Sequence, residues 1–151
     1  LQAATNIVEG RYKFTQTWNE FELKAESRKD DEWKGEGDLF YRRWFDKYTS
    51  LIAGGSSVHE DTRGEIGVGY ILPLLIESKL LVDHKGKLRV DLEKRFQWTG
   101  NIFTDVEYTW RQDTHLGDEF AATLMYAKNW NWAAGLRYTS YSVGAGFQYR
   151  F

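Results

Sequence analysis

Cysteine is absent from the 151 residues, and proline occurs once, at Pro73. Without thiols there is neither a disulfide framework nor a thiolate metal site. No stretch reaches the roughly 18–20 apolar residues of a membrane helix, and Pro73 interrupts the longest apolar run, Tyr70–Ile76. An excess of one charge is missing too. The 22 acidic residues nearly balance the 20 basic ones, which argues against nucleic acid as a partner. The opening Leu1-Gln2-Ala3-Ala4 lacks the basic and hydrophobic regions of a secretory signal, so the chain reads as a mature or trimmed form. At this length one domain is expected.

What is abundant is aromatic residues, 17% of the chain, arranged in period-two alternation. That period marks a strand with two unlike faces. Tyr12 and Phe14 alternate with Arg11 and Lys13. Phe21, Leu23 and Ala25 alternate with Glu20, Glu22, Lys24 and Glu26. Gly35, Gly37, Leu39 and Tyr41 alternate with Lys34, Glu36, Asp38 and Arg42. The pattern recurs through Tyr48–Val58, Glu65–Tyr70, Ile76–Asp83, Leu88–Glu93, Asp105–Arg111, Phe120–Tyr126, Ala134–Tyr138 and Val143–Phe151. A low overall hydropathy fits a membrane barrel, in which only alternate residues meet lipid.

The connections alternate as well. Short ones are expected at Thr15–Asn19, Phe45–Lys47, Pro73–Leu75, Thr99–Asn101 and Asn129–Asn131. Longer or more charged ones are expected at Arg28–Glu32, His59–Arg63, His84–Lys87 and Gln112–Glu119. This is the pattern of periplasmic turns opposite extracellular loops. Trp18, Trp44, Phe45, Trp98, Trp130 and Trp132 lie near the short turns, where an aromatic girdle is expected. A soluble lipocalin-like barrel would turn its apolar set inward. It would not need aromatics beside every short turn, so the expected fold is an all-β antiparallel transmembrane barrel in the outer membrane of a Gram-negative bacterium. About eleven strands can be counted, whereas single-chain bacterial barrels have an even number. Twelve strands are preferred, with one upward strand ahead of residue 1; ten are the alternative if Leu1–Gln16 is not a membrane strand.

Two segments resemble the copper-resistance protein B family. One is Asn19-Glu20-Phe21-Glu22-Leu23-Lys24-Ala25-Glu26. The other runs from Leu72-Pro73 to Glu77, with Val82-Asp83, Gly86, Arg89 and Leu92-Glu93. The closing strand Val143–Phe151 is similar, and such endings serve as the insertion signal for outer-membrane proteins. The resemblance implies a twelve-stranded barrel and a link to copper or metal tolerance. This chain departs from the family's Met- and His-rich N-terminal region, having one Met, Met125, and three His.

The inward faces carry the candidate chemistry. The expected pore-lining set is Glu22, Lys24, Glu36, Asp38, Glu77, Lys79, Arg89, Asp91, Glu93, Glu107, Arg111, Arg137 and Arg150. In a barrel this narrow, long side chains of opposite sign can meet across the lumen. They form either a salt-bridged plug or a narrow charged pore of weak selectivity. His59, His84 and His115 lie on the expected extracellular side beside carboxylates, so they are the candidate ligands of a rim metal site. Ser56-Ser57-Val58-His59 and Ser140-Tyr141-Ser142 lack a nucleophile elbow, and no enzyme is expected. No cofactor is expected. The working function is a pore or permeability barrel for ions or small solutes, and the alternative is a non-conducting barrel that docks another envelope protein. The expected partners are membrane lipids, lipopolysaccharide, the insertion machinery (through the strand ending at Phe151) and an envelope protein.

Overall fold

The computed structural model describes residues 2–4, 7–29, 33–58, 61–112, 118–127, 132–140 and 143–149. Among the described residues twelve antiparallel strands close into one barrel. They are β1 (Gln2–Ala4), β2 (Ile7–Gln16), β3 (Asn19–Lys29), β4 (Trp33–Trp44), β5 (Thr49–Val58), β6 (Asp61–Leu72), β7 (Ile76–Asp83), β8 (Leu88–Gln97), β9 (Ile102–Arg111), β10 (Glu119–Ala127), β11 (Trp132–Thr139) and β12 (Val143–Tyr149). Each strand pairs with its sequence neighbours. The ring closes where Gln2 stands opposite both Gln148 and Glu9. The strand that evens the count therefore does not lie ahead of residue 1, as expected, but runs over Gln2–Ala4. Strands β2 to β11 are eight to twelve residues long. A ten-residue strand tilted by about 40° rises about 25 Å, the height of an outer-membrane apolar band.

The alternation determines which face is which. Tyr12, Phe14, Leu23, Leu39, Ile66, Leu80, Leu124, Leu136 and Tyr138 are all exposed, and their strand neighbours of opposite parity point inward. A soluble protein would not leave so continuous an apolar surface uncovered; a lipid-facing barrel must have one. At the short-turn end Trp18, Phe45, Tyr48 and Trp98 are exposed. The Trp98 indole N–H donates to Thr104 Oγ1 at 2.9 Å. Trp44 departs from the expected girdle. It shares the parity of Phe40 and Arg42, and its ring lies 5.1 Å from the Arg42 guanidinium on the inner side. The Trp130 and Trp132 side chains lie outside the described residues.

The turns follow local chemistry. Asp46 accepts the N–H of Tyr48 at 2.7 Å and of Thr49 at 2.8 Å, closing the β4–β5 turn. These two N–H groups hold its carboxyl below the usual range. Between β6 and β7 a single turn over Pro73–Leu75 puts Leu74 and Leu75 at φ 65° and 58°. Two expected loops are shorter than the sequence suggests. β6 begins at Asp61 rather than after Arg63, and β3 runs on to Lys29. The extension of β6 has a cause: Arg63 donates back to Asp61 at 2.6 Å and across to Asp83 at 3.2 Å.

Two small apolar clusters interrupt the charged interior. One is Phe40, Ile52 and Leu81; the other is Phe103, Met125 and Ala133. Alternation of apolar and charged residues does not by itself place apolar side chains in the lumen. Three of them stand directly opposite glycine on the next strand: Phe40 opposite Gly54, Leu81 opposite Gly67 and Met125 opposite Gly135. The glycine removes a side chain where the neighbouring strand comes close, and the large residue covers the space.

Candidate functional site: a charged lumen with a clasp across it

The inward charges are organised by strand register. Arg11 stands directly opposite Lys24 on the β2–β3 wall. Glu93 stands directly opposite Glu107 on the β8–β9 wall, and Glu77 opposite Glu93. Like charges at directly opposed positions destabilise a sheet pair. Each pair is compensated from the facing wall. Arg11 donates to Glu93 at 2.9 Å, and Lys24 donates to Glu107 at 3.1 Å. Arg11 also holds Glu22 at 2.6 Å. Lys79 joins Glu22 and Glu93, each at 3.2 Å. Two basic groups on one wall thus meet two acidic groups on the other, forming a clasp.

The clasp deforms the barrel. β2 and β8 are six places apart in a ring of twelve, as are β3 and β9. A round barrel of this size measures about 24 Å between opposite backbones. Arginine reaches about 7 Å from its Cα and glutamate about 5 Å. A contact of 2.9 Å therefore brings the Arg11 and Glu93 backbones within about 15 Å of each other. The cross-section is flattened along this line, and the lumen is divided.

One side of the clasp, lined by β4 to β7, is dry. Ile52 and Leu81 are 1% and 0% exposed, and Arg42 is 3% exposed. Charges here are paired, as burial requires. Arg42 bonds to Glu77 and lies 3.5 Å from Glu20. Arg89 reaches Asp91 at 2.9 Å, Asp38 at 3.2 Å and Glu65 at 3.4 Å. Ser56 donates to Glu65 at 2.8 Å.

The clasp itself and the residues above and below it are wet. Side-chain exposure runs from 21% for Asp105 to 41% for Arg95, with Arg11, Lys13, Lys24, Glu93 and Glu107 in between. Below the clasp Arg95 grips Asp105 through two bonds of 2.6 Å and lies 4.5 Å from the Phe103 ring. Two polar spaces of about 30 and 40 Å³, the first against the clasp groups Lys24, Glu93 and Glu107 and the second above them, are each large enough for a water molecule. They share Lys24, Asp38, Arg89 and Thr109, and the upper one opens between Glu26, Glu36 and Glu119.

The sequence-predicted lumen residues fall on these elements. Glu22, Lys79, Arg89 and Asp91 belong to the dry network, Lys24, Glu93 and Glu107 to the clasp, and Glu77, a quarter exposed, pairs with the buried Arg42 at the edge of the dry side. Glu36, Asp38 and Arg111 border the upper space. Arg111 lies 3.3 Å from Glu119, and Arg137 donates to Thr123 at 3.3 Å. Arg150 lies outside the described residues, as do His59 and His115. His84 is exposed in the β7–β8 turn, where its N–H donates to the Gly64 carbonyl at 2.9 Å. Among the described residues no three His, Asp or Glu groups stand together as metal ligands. Ser56 is buried against Glu65, and Ser140 Oγ accepts the Phe120 N–H at 2.9 Å. Arg11, Arg42 and Arg95 have inward parity in the sequence but lie outside the expected pore-lining set, and Arg63 is in neither group. The parity of Arg42 with Asp38 was visible in the sequence; Arg63 was hidden in an expected loop.

No protein-family profile matches the chain. No curated protein matches it either. Solved structures do. A KdgM porin is similar with a TM-score of 0.58 and 14% identity, over 99% of this chain and 95% of that one. A KdgM porin in complex with disordered oligogalacturonate is similar with a TM-score of 0.56 and 12% identity, over the same shares. At such identities the likeness is one of fold, and the chain is an antiparallel β-barrel of the kind those porins form.

Proposed function

We propose that this chain is an outer-membrane barrel of a Gram-negative bacterium that passes ions and small solutes through a narrow charged pore. The supporting observation is the wet strip, Lys13, Arg95 and Asp105 below the clasp and Lys24 and Glu107 within it, each with a fifth or more of its side chain open to water. These charges are open to water along the strip, while Ile52, Leu81 and Arg42 on the β4–β7 side are buried. The pore lining is then Arg11, Lys13, Lys24, Glu93, Arg95, Asp105 and Glu107, with Glu36, Asp38 and Arg111 near the outer mouth. Fixed charges of both signs at the narrowest level imply weak selectivity between simple cations and anions. One of the similar porins is a complex with oligogalacturonate. The lumen here pairs its bases with acids at every level, so the proposal stops at small ions and solutes.

The same clasp favours a second reading, a non-conducting barrel held shut by its ion pairs that docks another envelope protein. Neither reading involves catalysis. The proposed partners are membrane lipids, lipopolysaccharide and the insertion machinery through the strand that ends at Phe151. The link to copper tolerance has no support from either similar structure, and a rim metal site would rest on His84 alone among the described residues.

Refolded protein in planar bilayers is expected to give discrete, reproducible single-channel steps, with a reversal potential close to zero in a salt gradient. A folded, inserted and silent barrel would favour the docking reading.

A further inference from the structure

We propose that the clasp selects small zwitterionic solutes. This rests on the pore reading and names the class of solute that the pore favours. The Arg11–Lys24 pair and the Glu93–Glu107 pair face each other at one level of the lumen. They set up a field across the pore rather than along it. A solute that passes between these two walls separates Arg11 from Glu93 or Lys24 from Glu107, which touch at 2.9 and 3.1 Å.

What replaces those contacts decides what enters. A neutral solute brings no charge to replace the broken contact, and leaves Arg11 to Glu22 and Glu93 to Lys79 alone. A simple anion satisfies Arg11 and Lys24 but leaves two carboxylates facing it, and a simple cation does the reverse. A solute with a carboxylate at one end and an ammonium at the other keeps both walls paired. It exchanges an ion pair within the protein for two with the solute. The clasp groups are a quarter to a third exposed, so the exchange takes place in contact with water. One partly exposed pair at each end of the solute corresponds to roughly a tenfold preference. The preference depends on salt, because mobile ions screen the field.

The test is osmotic swelling of phosphatidylcholine proteoliposomes containing the whole chain, at low salt, with 4-aminobutyrate and with erythritol, a neutral solute of similar size. Wild-type protein is expected to admit aminobutyrate roughly ten times faster. The variant Arg11→Gln/Lys24→Gln/Glu93→Gln/Glu107→Gln removes the clasp without leaving a net charge, and is expected to admit both solutes at similar rates. Lys79 and Glu22 keep each other in that variant. Should it not fold, Lys24→Gln/Glu107→Gln removes one pair, and the preference is expected to fall without vanishing. Equal entry of the two solutes through the wild type, or a preference unchanged by clasp removal, would overturn the proposal while leaving the pore intact. Entry of neither solute through a folded wild-type barrel would overturn the pore reading and the proposal with it.

Discussion

Arg89→Met is expected to destabilise the barrel by about 3–5 kcal/mol, the usual cost of removing one member of a buried ion network. Arg89 is the hub of three carboxylates, Asp91, Asp38 and Glu65. Its ring contact with Phe40, at 5.9 Å, would survive in part with methionine, which restores length and apolar bulk but not charge. The loss therefore comes from three acids left facing one another, two of them, Glu65 and Asp91, nearly buried. Adding Glu65→Gln and Asp91→Asn to Arg89→Met is expected to recover most of it, because neutral groups in place of a whole network often cost little. Urea unfolding of the lipid-refolded protein measures both effects. If Arg89→Met unfolds at the wild-type urea concentration, the dry network is not what it is taken to be.

Gly67→Ala is expected to cost about 3 kcal/mol, toward the upper end for overpacking. A methyl group at Gly67 would lie 1.9 Å from the Leu80 carbonyl oxygen and 2.8 Å from the Leu81 Cα. Both atoms are backbone, so the β6 and β7 strands must separate, and with them the seat of Leu81. Gly64, on the same strand, has nothing within 4 Å of the same added carbon. Gly64→Ala is accordingly expected to stay within about 0.5 kcal/mol of wild type. A large loss at both positions, or at neither, would show that close approach is not the cause.

The barrel was legible because lipid imposes a strict rule on alternate residues. Tyr12, Leu39, Leu80 and Leu136 could not be inside, and each strand's parity followed. The rule says less about the inner face, where charged and apolar residues both occur. Phe40, Leu81 and Met125 share the parity of charged or polar neighbours, and only the register with Gly54, Gly67 and Gly135 shows why they fit. Trp44 lies near a turn, as girdle residues do, but it has the inward parity of Phe40 and Arg42, and parity decides its side. Arg63, close behind Glu60 and Asp61, looks like a loop residue until the fold brings Asp83, 20 residues on, beside it.

The lumen residues were legible as a set, and their pairing was not. Arg11 and Glu93 are 82 residues apart, and Lys24 and Glu107 are 83. Only the closed ring of twelve puts them face to face. Like charges in direct register, unfavourable on each wall alone, are the trace that such a partnership leaves in a strand alignment.

The most direct test of the central claim uses the absence of native cysteine. Single cysteines introduced at Lys24 and at Glu107, and in separate chains at Ser50 and at Ile52, would be exposed to a charged methanethiosulfonate reagent during single-channel recording. If the path follows the wet strip, current falls on modification at Lys24→Cys and Glu107→Cys and does not change at Ser50→Cys or Ile52→Cys. Current that is indifferent to modification at the strip, or blocked from the β4–β7 side, would contradict it.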